Sequence, residues 1–182
     1  MSMQDISSSK ATAYAQTFGP NLPNFNSDLA SAENNDTTTF SAMGQISSLV
    51  ITIREPNFNI TNAFKVILTG EWNLDVNNGN VTNFTLNLLA SPMDGSTPHI
   101  HQITNFRPNN NVEPVTLAED NSISINGFAD IKINGILVWS NADVSISIFK
   151  GNTFIFDPDD VDTENHFGDQ QVYGIVTRLI SS

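Results

Sequence analysis

Two histidines separated by a single residue, His99 and His101, carry the clearest chemical signal in this chain, which has only three histidines. In an extended strand, side chains two positions apart point to the same face about 6.5 to 7 Å apart, so two imidazoles can reach one metal ion. His166 is the predicted third ligand. Three imidazoles and a water would complete the open tetrahedral site typical of catalytic zinc. The alternative is three ordinary histidines on a polar surface.

The absence of cysteine limits which metals the chain could bind. It excludes thiolate zinc sites, iron–sulfur clusters and blue-copper centres. Nitrogen and oxygen ligands favour Zn²⁺ first and Cu²⁺ second, with Fe²⁺ an option if a carboxylate replaces an imidazole. Zinc lowers the pKa of a bound water to about 7, which would permit hydration or hydrolysis. The side chains predicted to orient the imidazole rings are Gln102, Asn105, Glu164 and Asp169.

An acidic run between Asp157 and Glu164 is the second candidate site. Its alternating carboxylates resemble the start of a calcium loop, but Asn165 and Gln171 stand where the standard loop has Gly and Glu. A looser Ca²⁺ site built from oxygen ligands stays open, and the alternative is a solvated acidic loop that joins two strands. The predicted calcium ligands are Asp157, Asp159, Asp160 and Asp162.

Composition limits the partners. The 182 residues fit one domain. Charged residues make up only 14% of the chain, where about 25% is typical, so uncharged polar groups must cover the surface. Such a surface is typical of extracellular and cell-surface proteins. The net charge of −12 and seven scattered basic residues exclude a nucleic-acid patch and favour cations as ligands.

Membrane insertion is not expected, because no apolar run approaches the roughly 20 residues that a transmembrane helix needs. The N-terminal residues also lack a charged segment followed by an apolar one, as a secretory leader would have. If the protein is exported, we expect its leader to be absent from this sequence.

Short β-branched and aromatic runs with turn residues between them predict an all-β fold, an antiparallel sandwich or barrel of about eight to ten strands. We expect residues 1–43 to form a flexible leader and residues 44–182 a single β-sandwich domain. Asn-Gly pairs at 78–79, 126–127 and 134–135 predict type I′ hairpin turns, and Gly151-Asn152 a fourth turn. In the predicted strand His99 to Phe106, Ile100 is expected to face the core and both imidazoles to face away from it. The ten predicted strands are 46–54, 63–72, 81–90, 99–106, 121–125, 128–133, 136–139, 143–149, 153–156 and 171–180.

The His99-Ile-His101 segment, the following Pro114-Val-Thr-Leu117 and the glycine of Gly174-Ile-Val176 together resemble CHRD (chordin-type) domains. The resemblance covers about residues 64–180. It implies a β-rich extracellular module, and it implies no defined catalytic residues.

Two kinds of function follow from these patterns. The first is a secreted or cell-surface protein that binds a divalent transition metal, with enzymatic activity at that ion left open. The second is a non-catalytic surface module that binds glycans or proteins and holds structural Ca²⁺. Trp72 and Trp139 follow apolar residues at the ends of predicted strands, so we expect them to anchor the core rather than to stack on sugars.

Overall fold

The computed structural model describes residues 37–52, 63–109 and 114–181, and eight antiparallel strands make up most of these residues. The described residues contain no helix that is long and apolar enough to span a membrane. The strands are β1 (Phe40–Thr52), β2 (Phe64–Asn77), β3 (Asn80–Pro92), β4 (His99–Pro108), β5 (Ile123–Ile133), β6 (Ile136–Phe149), β7 (Thr153–Pro158) and β8 (Val172–Ser181).

The sheet closes on itself as a barrel. Each strand pairs with the next along the chain, and β8 returns to pair with β1, for example through Gly174 opposite Ile46. Closure gives each of the eight strands a neighbour on both sides. The predicted all-β antiparallel fold is therefore confirmed, as a barrel and with eight strands.

Two of the predicted hairpin turns are confirmed by their backbone angles. Asn78-Gly79 joins β2 to β3 with φ values of 46° and 73°, and Asn134-Gly135 joins β5 to β6 with φ values of 51° and 82°. A third turn lies one residue earlier than predicted, because Lys150 and Gly151 have the positive φ angles between β6 and β7.

The turn predicted at Asn126-Gly127 is wrong, because both residues lie inside β5 and pair with Ser145 and Val144 of β6. Gly127 is needed there for close approach: a Cβ at this position would collide with the carbonyl oxygen of Arg107. The predicted strands 121–125 and 128–133 are consequently one strand.

Strand β6 also merges two predicted strands, 136–139 and 143–149. It continues through Asn141, which has a φ of 56°, and its pairing with β5 shifts register next to this residue. The irregularity bends the strand without ending it. Ten predicted strands thus become eight.

The first strand, β1, begins at Phe40, inside the predicted leader of residues 1–43. Most of that predicted leader, residues 1–36, lies outside the described residues. Residues 34–182 form one compact unit.

The barrel interior has two different halves. Aromatic rings fill one half: Trp72 stacks on Phe154 with ring centroids 4.1 Å apart, and Phe84 lies between Phe154 and Phe156 at 6.5 and 6.4 Å. Trp72 is buried, as expected of a core anchor. Toward the end where β1 stops and β2 starts, the inward side chains are smaller, and a cavity lies there.

Candidate metal centre

Strand β4 directs two of the histidines into the barrel. Its buried positions include His101 and Ile103, and His99 shares their face. The pairing with β3 places His101 opposite Leu88 and His99 opposite Ala90. The small side chain of Ala90 leaves room for an imidazole beside it.

The predicted orientation of β4 is wrong. Ile100 is 46% exposed on the outside of the barrel, whereas His101 is only 2% exposed. The side chains that share the face of Ile100 are Gln102 and Thr104, which are polar and suit the solvent side. Burial of Ile103 fixes the alternation and takes both imidazoles inside with it.

His166 reaches the same place from the loop between β7 and β8. Hydrogen bonds within this loop fold it into a fixed shape: the backbone N–H and the hydroxyl of buried Thr163 both donate to the carbonyl of Asp159, at 3.1 and 2.7 Å. The N–H of His166 in turn donates to the carbonyl of Thr163 at 2.9 Å.

A side-chain amide attaches the loop to the barrel. Gln170 accepts the N–H of Ile51 at 3.1 Å and donates to the carbonyl of the same residue. It therefore continues the β1–β8 ladder beyond its last backbone pair, Ile46 with Gly174. Gly168, with a φ of 70°, lets the chain turn close to Thr52, where a Cβ would lie 2.8 Å from the Thr52 hydroxyl.

The three imidazoles converge. Their candidate ligand atoms all lie within 4.8 Å of one another, and the Nε2 atoms of His101 and His166 are 2.8 Å apart. The ring of His99 lies 4.7 Å from that of His101 and 5.7 Å from that of His166. Metal–nitrogen bonds of about 2.0–2.1 Å in a tetrahedral site place ligand nitrogens roughly 3.3 Å apart. The group could hold a metal ion with displacements of a few tenths of an ångström at the closest pair.

The surroundings of His101 and His166 favour the neutral form of both rings. Burial, and then the neighbouring His166 and His99, lower the pKa of His101 to about 3. Desolvation and then the charge of His99 also lower the pKa of His166. His166 is exposed at one edge, but its ring packs against the rings of His101, Trp139 and Phe167, and these contacts remove water from it. Both rings are consequently neutral at pH 7, which is the form that binds metals.

Two aromatic residues frame the imidazoles, and the sequence patterns did not single them out for this role. The half-buried ring of Trp139 lies 5.0 Å from that of His166, and the ring of Phe167 lies 5.2 Å from that of His101. Trp139 thus packs against the core, as predicted, and also contacts the ring of His166. The sequence signal that could have placed His166 is the adjacent Phe167, because a buried aromatic side chain fixes the position of its neighbour in the chain.

The four side chains predicted to orient the imidazole rings point away from the rings or are bonded to other residues. Gln102 points to the opposite side of β4, and Asn105 donates to Asp130 at 2.8 Å. Glu164 is exposed, and the side chain of Asp169 is hydrogen-bonded to Asp160, which also accepts the backbone N–H of Asp169 at 3.0 Å. The buried Nδ1 of His101 has no hydrogen-bond partner among the described residues.

The acidic run has a structural use in the same loop. Asp159 accepts the N–H of Asp162 at 2.9 Å, and Asp162 accepts the N–H of Asp143 at the same distance. Asp157 accepts the side-chain amide of Gln171 at 3.0 Å. Three of the predicted calcium ligands, Asp157, Asp159 and Asp160, line an open surface depression together with Asp143 and Asp169. In the part of the chain that the structure describes, the three histidines are the group of potential ligands whose donor atoms converge.

A cavity of about 300 Å³ opens beside the histidines at this end of the barrel. Apolar side chains from β1, β2, β3 and the loop that carries His166 form one part of its wall, and Thr52, Ser96, Thr97 and Asn165 add polar groups. His99, His101 and His166 all line it, so an ion held by them would face this cavity. The apolar lining includes Phe64, Val66, Leu68, Ala90, Pro92 and Phe167.

Comparison of the chain with protein-family models, with characterised proteins and with solved structures finds no match in any of the three. The proposals below therefore depend on the geometry and chemistry of this site.

Proposed function

We propose that this barrel binds one divalent transition-metal ion through His99, His101 and His166, with Zn²⁺ as the first choice and Cu²⁺ as the second. The observation that carries the proposal is the convergence of three imidazoles from two distant segments, with ligand atoms within 4.8 Å of one another.

The donor set supports this choice of metal. All three members of the cluster are imidazoles, which suit zinc and copper, whereas the iron site that combines histidines with a carboxylate needs an acidic member. The net charge of −12 raises the local concentration of cations around the protein.

Three protein ligands would leave a fourth position on the ion, next to the cavity that all three histidines line. We propose that hydration or hydrolysis takes place there, because zinc at such a site lowers the pKa of a bound water to about 7. The apolar walls would exclude bulk water and strengthen the field of the ion.

We propose an extracellular or cell-surface location. The low content of charged residues supports it, as does the resemblance of the His99-Ile-His101 segment to chordin-type domains, which stays a prediction.

The alternative is a non-catalytic module that binds glycans or proteins and holds Ca²⁺ at the acidic run. The depression lined by Asp143, Asp157, Asp159, Asp160 and Asp169 favours it. Against it, carboxylates of this run already accept hydrogen bonds from the loop backbone.

Elemental analysis by mass spectrometry on untagged protein tests the proposal. After incubation with Zn²⁺ or Cu²⁺ and removal of free metal, we expect about one ion per chain in the parent and much less in His166→Ala, whose ligand lies in a loop. Thr97→Ala is the matched control, because exposed Thr97 lines the same cavity without belonging to the histidine cluster. Equal metal in the parent and in His166→Ala, or none in either, would overturn it.

A further inference from the structure

The cavity beside the histidines has the properties of a binding site for a small molecule. Its volume of about 300 Å³ lies at the lower end of the range of small-molecule sites, about 300–1,000 Å³. Barrels of eight strands are wide enough either to be filled by side chains or to hold one small ligand. In this protein the aromatic rings fill only one half of the interior.

The lining indicates the chemistry of the ligand. Val66 and Leu68 of β2 and Ala90 of β3 present apolar walls, and Phe167 joins them from the loop. Among the described residues, the lining includes no lysine and no arginine that could balance an anionic ligand. The overall negative charge also disfavours the approach of anions.

The polar residues of the cavity are the three histidines together with Thr52, Ser96, Thr97 and Asn165, and the ligand atoms of the histidines converge. His101 is 2% exposed and its Nδ1 has no hydrogen-bond partner among the described residues. A buried polar atom without a hydrogen-bond partner is costly. Ligand pockets that combine apolar walls with a few convergent polar groups use those groups to fix the orientation of the ligand.

We infer that this cavity binds one small, largely apolar, uncharged molecule, and that a single nitrogen or oxygen head group of this molecule points to the three histidines. The apolar part occupies the space between Val66, Leu68 and Ala90. Coordination of the head group rests on the metal proposed above, whereas occupation of the apolar space does not depend on it.

A filled-cavity variant with a matched control tests the apolar part. Leu68→Trp places a large ring in the cavity, whereas Leu89→Trp makes the same change on the outer face of the neighbouring strand β3. With metal-free protein and toluene as the probe, saturation-transfer NMR should detect binding to the parent and to Leu89→Trp, and binding should be lost in Leu68→Trp. If Leu68→Trp does not fold, Val66→Phe fills the mouth of the same cavity.

The head group is tested with Co²⁺-loaded protein, whose visible absorption reports a new ligand on the ion. We expect 4-phenylimidazole to bind at least tenfold more tightly than imidazole in the parent and in Leu89→Trp, and the two affinities to become similar in Leu68→Trp. Metal content and imidazole affinity should be the same in all three proteins.

The outcomes separate the two proposals. Absence of toluene binding, or equal binding by Leu68→Trp and the parent, overturns the inference about the cavity whatever the metal content. Toluene binding that Leu68→Trp abolishes, in a protein that takes up no metal, supports the apolar site and overturns the proposed metal function alone.

Discussion

The Nε2 atoms of His101 and His166 lie 2.8 Å apart, although 65 residues separate the two side chains along the chain. One ring is fixed by a barrel strand and the other by a loop, so two independent parts of the fold must be in place for the contact to form. At this distance two neutral imidazoles can share an N–H···N hydrogen bond. An ion would bind the same two Nε2 atoms once the shared proton has moved to the Nδ1 atom of the donor ring. Any change that moves the loop should therefore affect metal binding without altering a histidine.

The metal-free barrel should lose stability as the pH falls below about 6.5. The pKa of His101 is about 3 in the folded protein, against an ordinary value of 6.5. The unfolded chain therefore takes up a proton that the native state refuses, and the free energy of unfolding decreases by up to about 1.4 kcal/mol for each pH unit between these values. Urea unfolding in the presence of a chelator at pH 7.5 and 5.0 measures this loss.

His101→Leu should reduce this pH dependence, because leucine cannot take up the proton in either state. Gln102→Leu, at the neighbouring outward position, is the control and should retain the dependence of the parent. Equal dependence in His101→Leu and the parent would mean that burial of this imidazole does not set the acid sensitivity.

Gln170→Leu should weaken metal binding although Gln170 is not a ligand. The substitution removes both hydrogen bonds to the backbone of Ile51 and leaves those groups without their partner, which costs about 1–3 kcal/mol. The loop then holds His166 less firmly, and we expect the dissociation constant for Zn²⁺ to rise about tenfold, measured by competition with a chromophoric chelator.

Gln171→Leu is the matched control for this experiment, since exposed Gln171 bonds Asp157 and Tyr173 on the surface. It should bind Zn²⁺ as the parent does. An unchanged affinity in Gln170→Leu would show that the loop keeps its position without the amide.

Gly168→Ala and Gly95→Ala separate backbone strain from steric collision. Both glycines have positive φ, 70° and 83°, so each substitution should cost about 1–2 kcal/mol. A Cβ at Gly95 meets nothing within 4 Å, whereas at Gly168 it lies 2.8 Å from the hydroxyl of Thr52. We expect Gly168→Ala to be the more destabilising of the two in denaturant titrations, and to be the one that lowers metal content. Equal costs would show that Thr52 moves aside freely.

Asp160→Asn should leave metal binding unchanged and should not destabilise the protein at pH 7. Burial raises the pKa of Asp160, and so do the hydrogen bond and charge of Asp169. A carboxyl with a raised pKa destabilises the folded state as the pH rises above its unfolded value of 3.8. Asparagine removes this charge and can still accept the N–H of Asp169. Thermal unfolding with and without Zn²⁺ measures both effects.

The same variant distinguishes the calcium alternative. If millimolar Ca²⁺ raises the melting temperature of the parent but not that of Asp160→Asn, the acidic run is an ion site. Glu119→Gln, which changes an exposed acid in the connection between β4 and β5, controls for the loss of one negative charge.

Local patterns determined the class of the fold. Alternation in Val144-Ser-Ile-Ser-Ile148 predicted a strand with one buried face, and Asn78-Gly79 and Asn134-Gly135 predicted hairpins, because these effects act between neighbouring residues. The same local logic failed at Gly127. Its requirement comes from Arg107 on another strand, and no local pattern records that contact.

The sequence also determined which residues are able to bind a metal, since residue type and spacing are sufficient to identify three imidazoles and to exclude thiolates. It contained the orientation of β4 as well: Ile100, Gln102 and Thr104 share one face and His101 and Ile103 the other. Only the tertiary structure decided that His166 joins the pair, because its position depends on closure of β8 onto β1 and on the Gln170 amide at Ile51. The cavity likewise exists only in the closed barrel, since its walls come from separate strands and a loop whose side chains meet when the fold is complete.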